Sequence, residues 1–185
     1  MNFNDAQKDM RYSYLSGATG VFVSGLVWLI AGAVAFFVSI QTGMVALFFG
    51  GMLIHPLGMV LDKMFGRPGN HKSGNPLGAL ALESTFLLFI GLFIAYSAAQ
   101  LRPEWFFTIM LMTIGGRYLT FQTIYGLRVY WALGAVLAVA GMLMMMFGVL
   151  TAYTAFIGGA IEVLFAVVLF NLAKRAETTT GEVQV

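Results

Sequence analysis

The stretch that decides the fold is residues 131–150, which read WALGAVLAVAGMLMMMFGVL and include no charged side chain. A helix of about 20 apolar residues spans the hydrocarbon core of a bilayer, which is about 30 Å thick. The rest of the chain has the same character, because 59% of its 185 residues are hydrophobic and only 10% are charged. A soluble domain carries about 25% charged residues. The sequence therefore predicts an all-α integral membrane protein.

Outward from this stretch, five further apolar runs are long enough to cross a bilayer. We expect a polytopic bundle of six transmembrane helices at 15–40, 43–63, 77–99, 105–125, 131–150 and 155–173. They form a single membrane domain, 12–175, between a cytoplasmic N-terminal segment at 1–11 and a cytoplasmic tail at 176–185 that we expect to be disordered. In the alternative interpretation the first run is a cleaved signal peptide, and five spans remain.

The distribution of Lys and Arg predicts which side of the membrane each loop faces. With both termini in the cytoplasm, the longest loop, 65–76, is cytoplasmic, and only Arg102 lies in an outer loop. The cytoplasmic side then collects Lys8, Arg11, Lys63, Arg67, Lys72, Arg128, Lys174 and Arg175. Because short loops rich in Lys and Arg stay in the cytoplasm, we expect an N-in, C-in orientation.

The composition also excludes several classes of function. Cysteine is absent, which excludes disulfides, thiolate metal sites and cysteine nucleophiles. A net charge of +2 spread over the whole chain forms no basic stripe, so we expect no nucleic-acid partner. The sequence has no paired His ligands at helical spacing and no nucleotide or nucleophile motif. We therefore expect no metal, no cofactor and no catalytic residue.

Four ionisable side chains lie well inside the predicted spans: His55, Glu83, Arg117 and Glu162. A charge near the bilayer centre costs from about 2.5 to more than 10 kcal/mol, so none of them should face lipid alone. We expect Arg117 to bridge towards Glu162 and Glu83. His55 would lie nearby, and Tyr118 would add a hydroxyl to the same region. The alternative is that these groups only hold the helices in register.

Glycine pairs recur in the three helices that return towards the cytoplasm. Glycine allows membrane helices to approach closely, so these pairs predict helix contacts. The pattern is consistent with three stacked hairpin repeats, although glycine is also common enough in membrane helices for the match to arise by chance. The predicted packing glycines are Gly50, Gly51, Gly115, Gly116, Gly158 and Gly159.

Three segments carry a resemblance to a known family: residues 5–11 (DAQKDMR), 74–80 (GNPLGAL) and 115–118 (GGRY). In these segments the chain resembles a family of small six-helix bacterial inner-membrane proteins that is defined only as a domain of unknown function. The resemblance covers most of the chain. The resemblance implies a multi-pass protein of the cell membrane, which in bacteria is the inner membrane. It assigns no activity to any residue.

The leading functional hypothesis is a small permease or channel-like protein for a proton, a small ion or a small anion. Arg117 would hold the anion, Glu162 and Glu83 would exchange protons, and His55 would relay them. Its partners would be the lipid bilayer and a second copy in a homodimer. The alternative is a non-transporting stress or assembly factor, or a partner subunit, whose buried charges only fix helix packing. An enzyme is disfavoured, because the sequence offers no nucleophile or metal set.

Overall fold

The structure, a computed structural model, describes residues 1–182, and for 177–182 it describes the backbone alone. The all-α class is confirmed, since no strand occurs in that range. A short 3₁₀ turn, Leu15–Gly17, separates the first two helices. The helices are α1 Phe3–Ser13, α2 Ala18–Phe37, α3 Ile40–Met64, α4 Leu77–Ala99, α5 Trp105–Tyr125, α6 Val129–Met146 and α7 Thr151–Glu182. The sequence predicts a disordered tail at 176–185. From residue 177 onward, this tail lies outside the residues whose side chains are described.

Five helices are long and apolar enough to cross a membrane, which makes this a membrane-type helical protein. They are Leu15–Phe37, Ile40–Met64, Leu77–Ala99, Val129–Met146 and Thr151–Ala176. The fourth predicted span, α5, is not among them, because it combines Arg117 and Gln122 with several threonines. Six spans and their orientation therefore remain predictions.

The first turn lies slightly earlier than the sequence indicated. We expected it at Gln41 and Thr42, but α2 ends at Phe37 and α3 begins at Ile40. The reason is a helix N-cap, in which Ser39 Oγ accepts a hydrogen bond from the backbone N–H of Thr42 at 3.1 Å. The polar pair that resembled a turn thus forms the first turn of α3.

Neighbouring helices are antiparallel, and two of them have partners on both sides. Helix α2 packs between α3 and α7, and α5 packs between α4 and α6. Half of the first span is buried, against 17% of α3 and 17% of α4. The edge helices α3 and α4 pack on different partners, α2 and α5, and make few contacts with each other.

Glycines set the closest helix contacts. A Cβ added to Gly25 of α2 would lie 2.9 Å from the carbonyl oxygen of Gly159 in α7, and one added to Gly159 would lie 2.8 Å from that of Gly25. Gly115 of α5 and Gly134 of α6 form the same reciprocal contact, at 2.7 and 2.6 Å. These distances leave no room for a side chain at either crossing.

The predicted glycine pairs are not equivalent in the structure. Gly50 lies against Val27 and Gly158 against Leu111, whereas a Cβ on Gly51 or Gly116 would meet nothing within 4 Å. The three predicted hairpins also differ. Helices α6 and α7 pack mainly on α5 and α2 rather than on each other.

Helix α1 was not predicted as a separate element. Asn2 caps it by accepting a hydrogen bond from the N–H of Asp5 at 2.8 Å, and Ala6 and Met10, one turn apart, are buried. After it the chain turns through three left-handed residues, including Leu15 (φ 47°) and Ser16 (φ 58°). Non-glycine residues in this region are strained, so surrounding contacts must hold the turn in place.

Candidate functional site

Arg117 lies on the face of α5 that meets α4. Its Nε donates to Ser84 Oγ at 3.4 Å and its Nη2 donates to Thr85 Oγ1 at 3.2 Å. Both hydroxyls donate in turn to the carbonyl oxygen of Ala81, at 2.7 and 3.1 Å. Their oxygen lone pairs are therefore the groups that face Arg117. The guanidinium carbon also lies 5.1 Å from the centre of the Phe121 ring.

The expected ion pairs of Arg117 do not form. Among the described residues no carboxylate lies within salt-bridge distance of it, and its hydrogen bonds go to the two hydroxyls. The Glu83 side chain is exposed, whereas Ser84 is buried. Successive residues on a helix point about 100° apart, so the rotation that directs Ser84 at α5 directs Glu83 away from it.

His55 reaches the same region from α3. Its side chain is exposed on the edge helix, and it lies close enough to Arg117 for the two groups to interact electrostatically. The centre of its ring is 6.5 Å from that of Tyr14. We call this region, made of His55, Ser84, Thr85 and Arg117, the Arg117 cleft. Its residues come from α5 and from the two edge helices, α3 and α4, which make few contacts with each other.

A second polar centre lies between α2, α5 and α7. Glu162 is 0% exposed, and its Oε1 accepts a hydrogen bond from the hydroxyl of Tyr118 at 2.8 Å. Its Oε2 has no hydrogen-bond partner. Ser24 Oγ lies beside both residues, without a short, well-aligned hydrogen bond to any described residue. We call Ser24, Tyr118 and Glu162 the Glu162 centre.

Buried aromatic side chains fill the interior of the bundle along the helices that carry the Glu162 centre. Trp28 and Phe107 meet edge to face with ring centres 6.0 Å apart. The Tyr118 ring stacks on Tyr130 at 6.1 Å, and Tyr130 stacks on Tyr125 at 5.3 Å. Tyr130 is fully buried, and its hydroxyl donates to the carbonyl of Ser16 at 2.7 Å.

Helix α1 covers the end of α5 on the side that we expect to be cytoplasmic. Gln7 Nε2 donates to the carbonyl of Thr123 at 2.8 Å, and Arg11 donates to the carbonyl of Tyr125. Both carbonyls lack helical partners at a helix C-terminus, where a cation also complements the helix dipole. Burial lowers the pKa of Arg11 from its ordinary value.

The loop between α3 and α4 is tied to α1. Asp9 Oδ2 accepts hydrogen bonds from the backbone N–H of Lys72 at 3.0 Å and from Asn75 Nδ2 at 2.7 Å. The hydroxyl of Tyr14 lies 2.9 Å from His71 Nδ1. Burial is the main cause that raises the pKa of Tyr14. The loop and α1 thus form one connected layer next to the Arg117 cleft.

A family model matches residues 3–172, and it is described as a family of unknown function, DUF7010. The chain belongs to the DUF7010 family. This confirms the resemblance to a domain of unknown function that the three segments indicated. No curated protein matches the chain, and no solved structure does. Membership in DUF7010 therefore supplies no activity, and the function must be argued from the two polar centres.

Sequence reasoning missed three contributors to these centres. Ser24 was visible as a hydroxyl in an apolar run, but the sequence does not tell which helix it faces. Ser84 and Thr85 follow Glu83 directly, but only the charged Glu83 was predicted to belong to the site. In residues 1–176 no group of three or more metal-binding side chains comes together.

Proposed function

We propose that this DUF7010 protein is a six-span membrane protein that binds and passes a small monovalent anion at Arg117. The sixth span is α5. Its 21 residues are about 31 Å long, at about 1.5 Å per residue, which matches the hydrocarbon core. It packs antiparallel between two candidate spans, α4 and α6, to which short connections join it. Protein rather than lipid surrounds much of it, so its polar residues are tolerated.

The orientation of the proposed protein is N-in, C-in. The excess of Lys and Arg on the side of α1 and the loop 65–76 supports it. In this orientation the Arg117 cleft lies in the cytoplasmic half of the bilayer, beneath the layer formed by α1 and the loop. The membrane would be the bacterial inner membrane, as the family resemblance implies.

One observation carries the proposal: neutral hydroxyls hold Arg117, and no carboxylate among the described side chains is bound to it. An arginine that served packing alone would be expected to pair with an acid, because an uncompensated charge is costly in a membrane. A guanidinium has five N–H donors, and two of them are used here. The remaining donors and the remaining charge fit an anion from solution.

The anion is small and carries one charge. A monovalent anion neutralises Arg117, whereas a doubly charged one would leave a net negative charge that costs about 2.5 kcal/mol or more at this depth. Halides and nitrate meet these requirements, and sulfate does not. His55 lies on the exposed side of the cleft, where its imidazole can donate to the entering anion. Glu83 points away from the cleft and is not part of this site.

Anion flux into proteoliposomes tests the proposal. We expect chloride and nitrate to cross and sulfate to be excluded, and we expect Arg117→Gln to abolish the flux. Arg117→Lys should also lose most of the flux, because the single ammonium group of Lys cannot reproduce the planar guanidinium that bonds to both hydroxyls. Arg128→Gln is the matched control, because Arg128 is exposed beyond α5. Normal flux in Arg117→Gln, or no flux of any anion through the wild-type protein, would contradict the proposal.

A second candidate function is the non-transporting assembly factor or partner subunit. The dense packing between α2, α5 and α7 favours it, because Trp28, Phe107 and Leu111 are almost completely buried there. In that case the polar groups serve only stability. Arg117→Gln would then lower the melting temperature, and no anion would change the melting temperature of the wild-type protein.

A further inference from the structure

The Glu162 centre contains two buried polar atoms that lack a partner. Glu162 Oε2 and Ser24 Oγ are neighbours, and neither makes a well-aligned hydrogen bond to a described residue, although the two residues are only 0% and 2% exposed. Tyr118 already donates its hydroxyl proton to the other carboxyl oxygen, Oε1. The Ser24 hydroxyl carries its own proton, so it can donate to a carboxylate oxygen and can accept from a carboxylic acid. It therefore fits either state of Glu162, and the surroundings of the acid decide which state is held.

Burial disfavours a carboxylate at Glu162, and the positive charge of Arg117, which favours one, acts only at longer range. From α2 it faces the neutral Ser24, and from α5 it faces Tyr118 and, at longer range, Arg117. The hydrogen bonds of Arg117 go to the hydroxyls of α4, and no described cation lies within salt-bridge distance of the acid. An unpaired carboxylate that is fully buried is strongly disfavoured relative to the neutral acid.

We propose that Ser24, Tyr118 and Glu162 form a proton-binding site in which Glu162 is held as the neutral acid and donates from Oε2 to Ser24 Oγ. The hydroxyl of Ser24 suits both states, because it accepts when Glu162 carries the proton and donates when the proton has left. The released proton goes to water, and the carboxylate that remains accepts from Tyr118 and Ser24. No other bond changes.

The proton site is coupled to the anion site through neighbouring residues of α5. The positive charge of Arg117 opposes proton binding by Glu162, and an anion bound to Arg117 cancels that charge. Anion binding and proton binding therefore favour each other, and by linkage the effect is reciprocal. This coupling rests on the proposed function, whereas the proton site itself does not.

Infrared spectroscopy of the purified protein in chloride-free detergent solution at pH 7 tests the proton site. We expect a carboxylic acid C=O band in the wild-type protein that disappears in Glu162→Gln and persists in the matched control Glu83→Gln. Gln has nearly the shape of the neutral acid, so Glu162→Gln should fold. Tyr118→Phe removes the hydrogen bond to Oε1 and should move the same band to higher frequency, which identifies it without loss of Glu162.

The result that would overturn the proton site is a wild-type spectrum with carboxylate bands only, or an acid band that survives unchanged in both Glu162→Gln and Tyr118→Phe. A separate measurement addresses the coupling. Chloride added to weakly buffered wild-type protein should cause proton uptake, and Arg117→Gln should show none. An acid band without chloride-linked uptake would support the proton site and overturn its link to Arg117.

Discussion

The two polar centres start from neighbouring residues of α5 and end in opposite surroundings. Arg117 points towards the edge helix α4 and donates to two of its hydroxyls. Tyr118 points into the middle of the bundle and finds a fully buried acid. One helix thus separates a cation from an acid that could have neutralised it. The difference shows that the charges of this protein are kept apart.

Packing explains why the Glu162 centre is the closed one. The contact between Gly25 and Gly159 brings α2 and α7 together next to Ser24, and Glu162 lies one turn further along α7. At the Arg117 cleft no comparable contact joins α3 to α4. The closed centre should therefore be sensitive to added volume, and the cleft should tolerate it.

The largest expected effect comes from added volume at the glycine contact of the closed centre. Gly159→Leu should destabilise the protein by about 3 kcal/mol or more, because its Cβ would meet a backbone carbonyl. Gly116→Leu, at an exposed position of α5, is the control and should be close to neutral, because nothing lies within 4 Å of its Cβ. Chemical unfolding in detergent measures both. Equal losses would show that the glycine contact does not set the packing of the Glu162 centre.

Loss of a hydroxyl should also separate the two centres. Tyr118→Phe removes the hydrogen bond that Glu162 Oε1 accepts in the buried centre and should cost about 1–3 kcal/mol. Ser84→Ala should cost less, because Arg117 keeps its hydrogen bond to Thr85 and can bind water in the cleft. The free energies of unfolding of the two variants test this order. A larger loss in Ser84→Ala would reverse it.

A double-mutant cycle tests whether the two centres are independent. Because Arg117 and Glu162 form no ion pair, the effects of Arg117→Gln and Glu162→Gln on stability should add within about 0.5 kcal/mol. A direct pair would give a coupling well above this value. A coupling of several kcal/mol would show that the two groups meet in the membrane.

The sequence predicted the fold better than it predicted the site. Long uncharged runs such as 131–150 define helices by their length alone, and the all-α class follows. The pairing of Arg117 with Glu162 was wrong because adjacent residues on a helix point about 100° apart. Only one residue of the Arg117–Tyr118 pair could face α7, and the sequence does not tell which. That choice depends on which helices are neighbours.

The smallest expected effect concerns the layer that covers the cleft. Because burial raises the pKa of Tyr14, the folded protein holds its phenolic proton more tightly than the unfolded chain does. Tyr14 therefore has no effect on the pH dependence of stability well below its ordinary pKa of 10.0, and stability falls as the pH rises above it. Tyr14→Phe should flatten this alkaline decline. Tyr12→Phe, at an exposed position, should leave it unchanged in pH-dependent melting curves.

The central claim is that Arg117 takes its counter-charge from a bound anion rather than from a carboxylate. Anomalous diffraction from crystals grown with bromide measures this most directly. We predict a bromide peak within hydrogen-bonding distance of the Arg117 guanidinium, on the side away from Ser84 and Thr85, and no such peak in Arg117→Gln. A guanidinium bonded to Glu162 or Glu83, with no bromide beside it, would contradict the account.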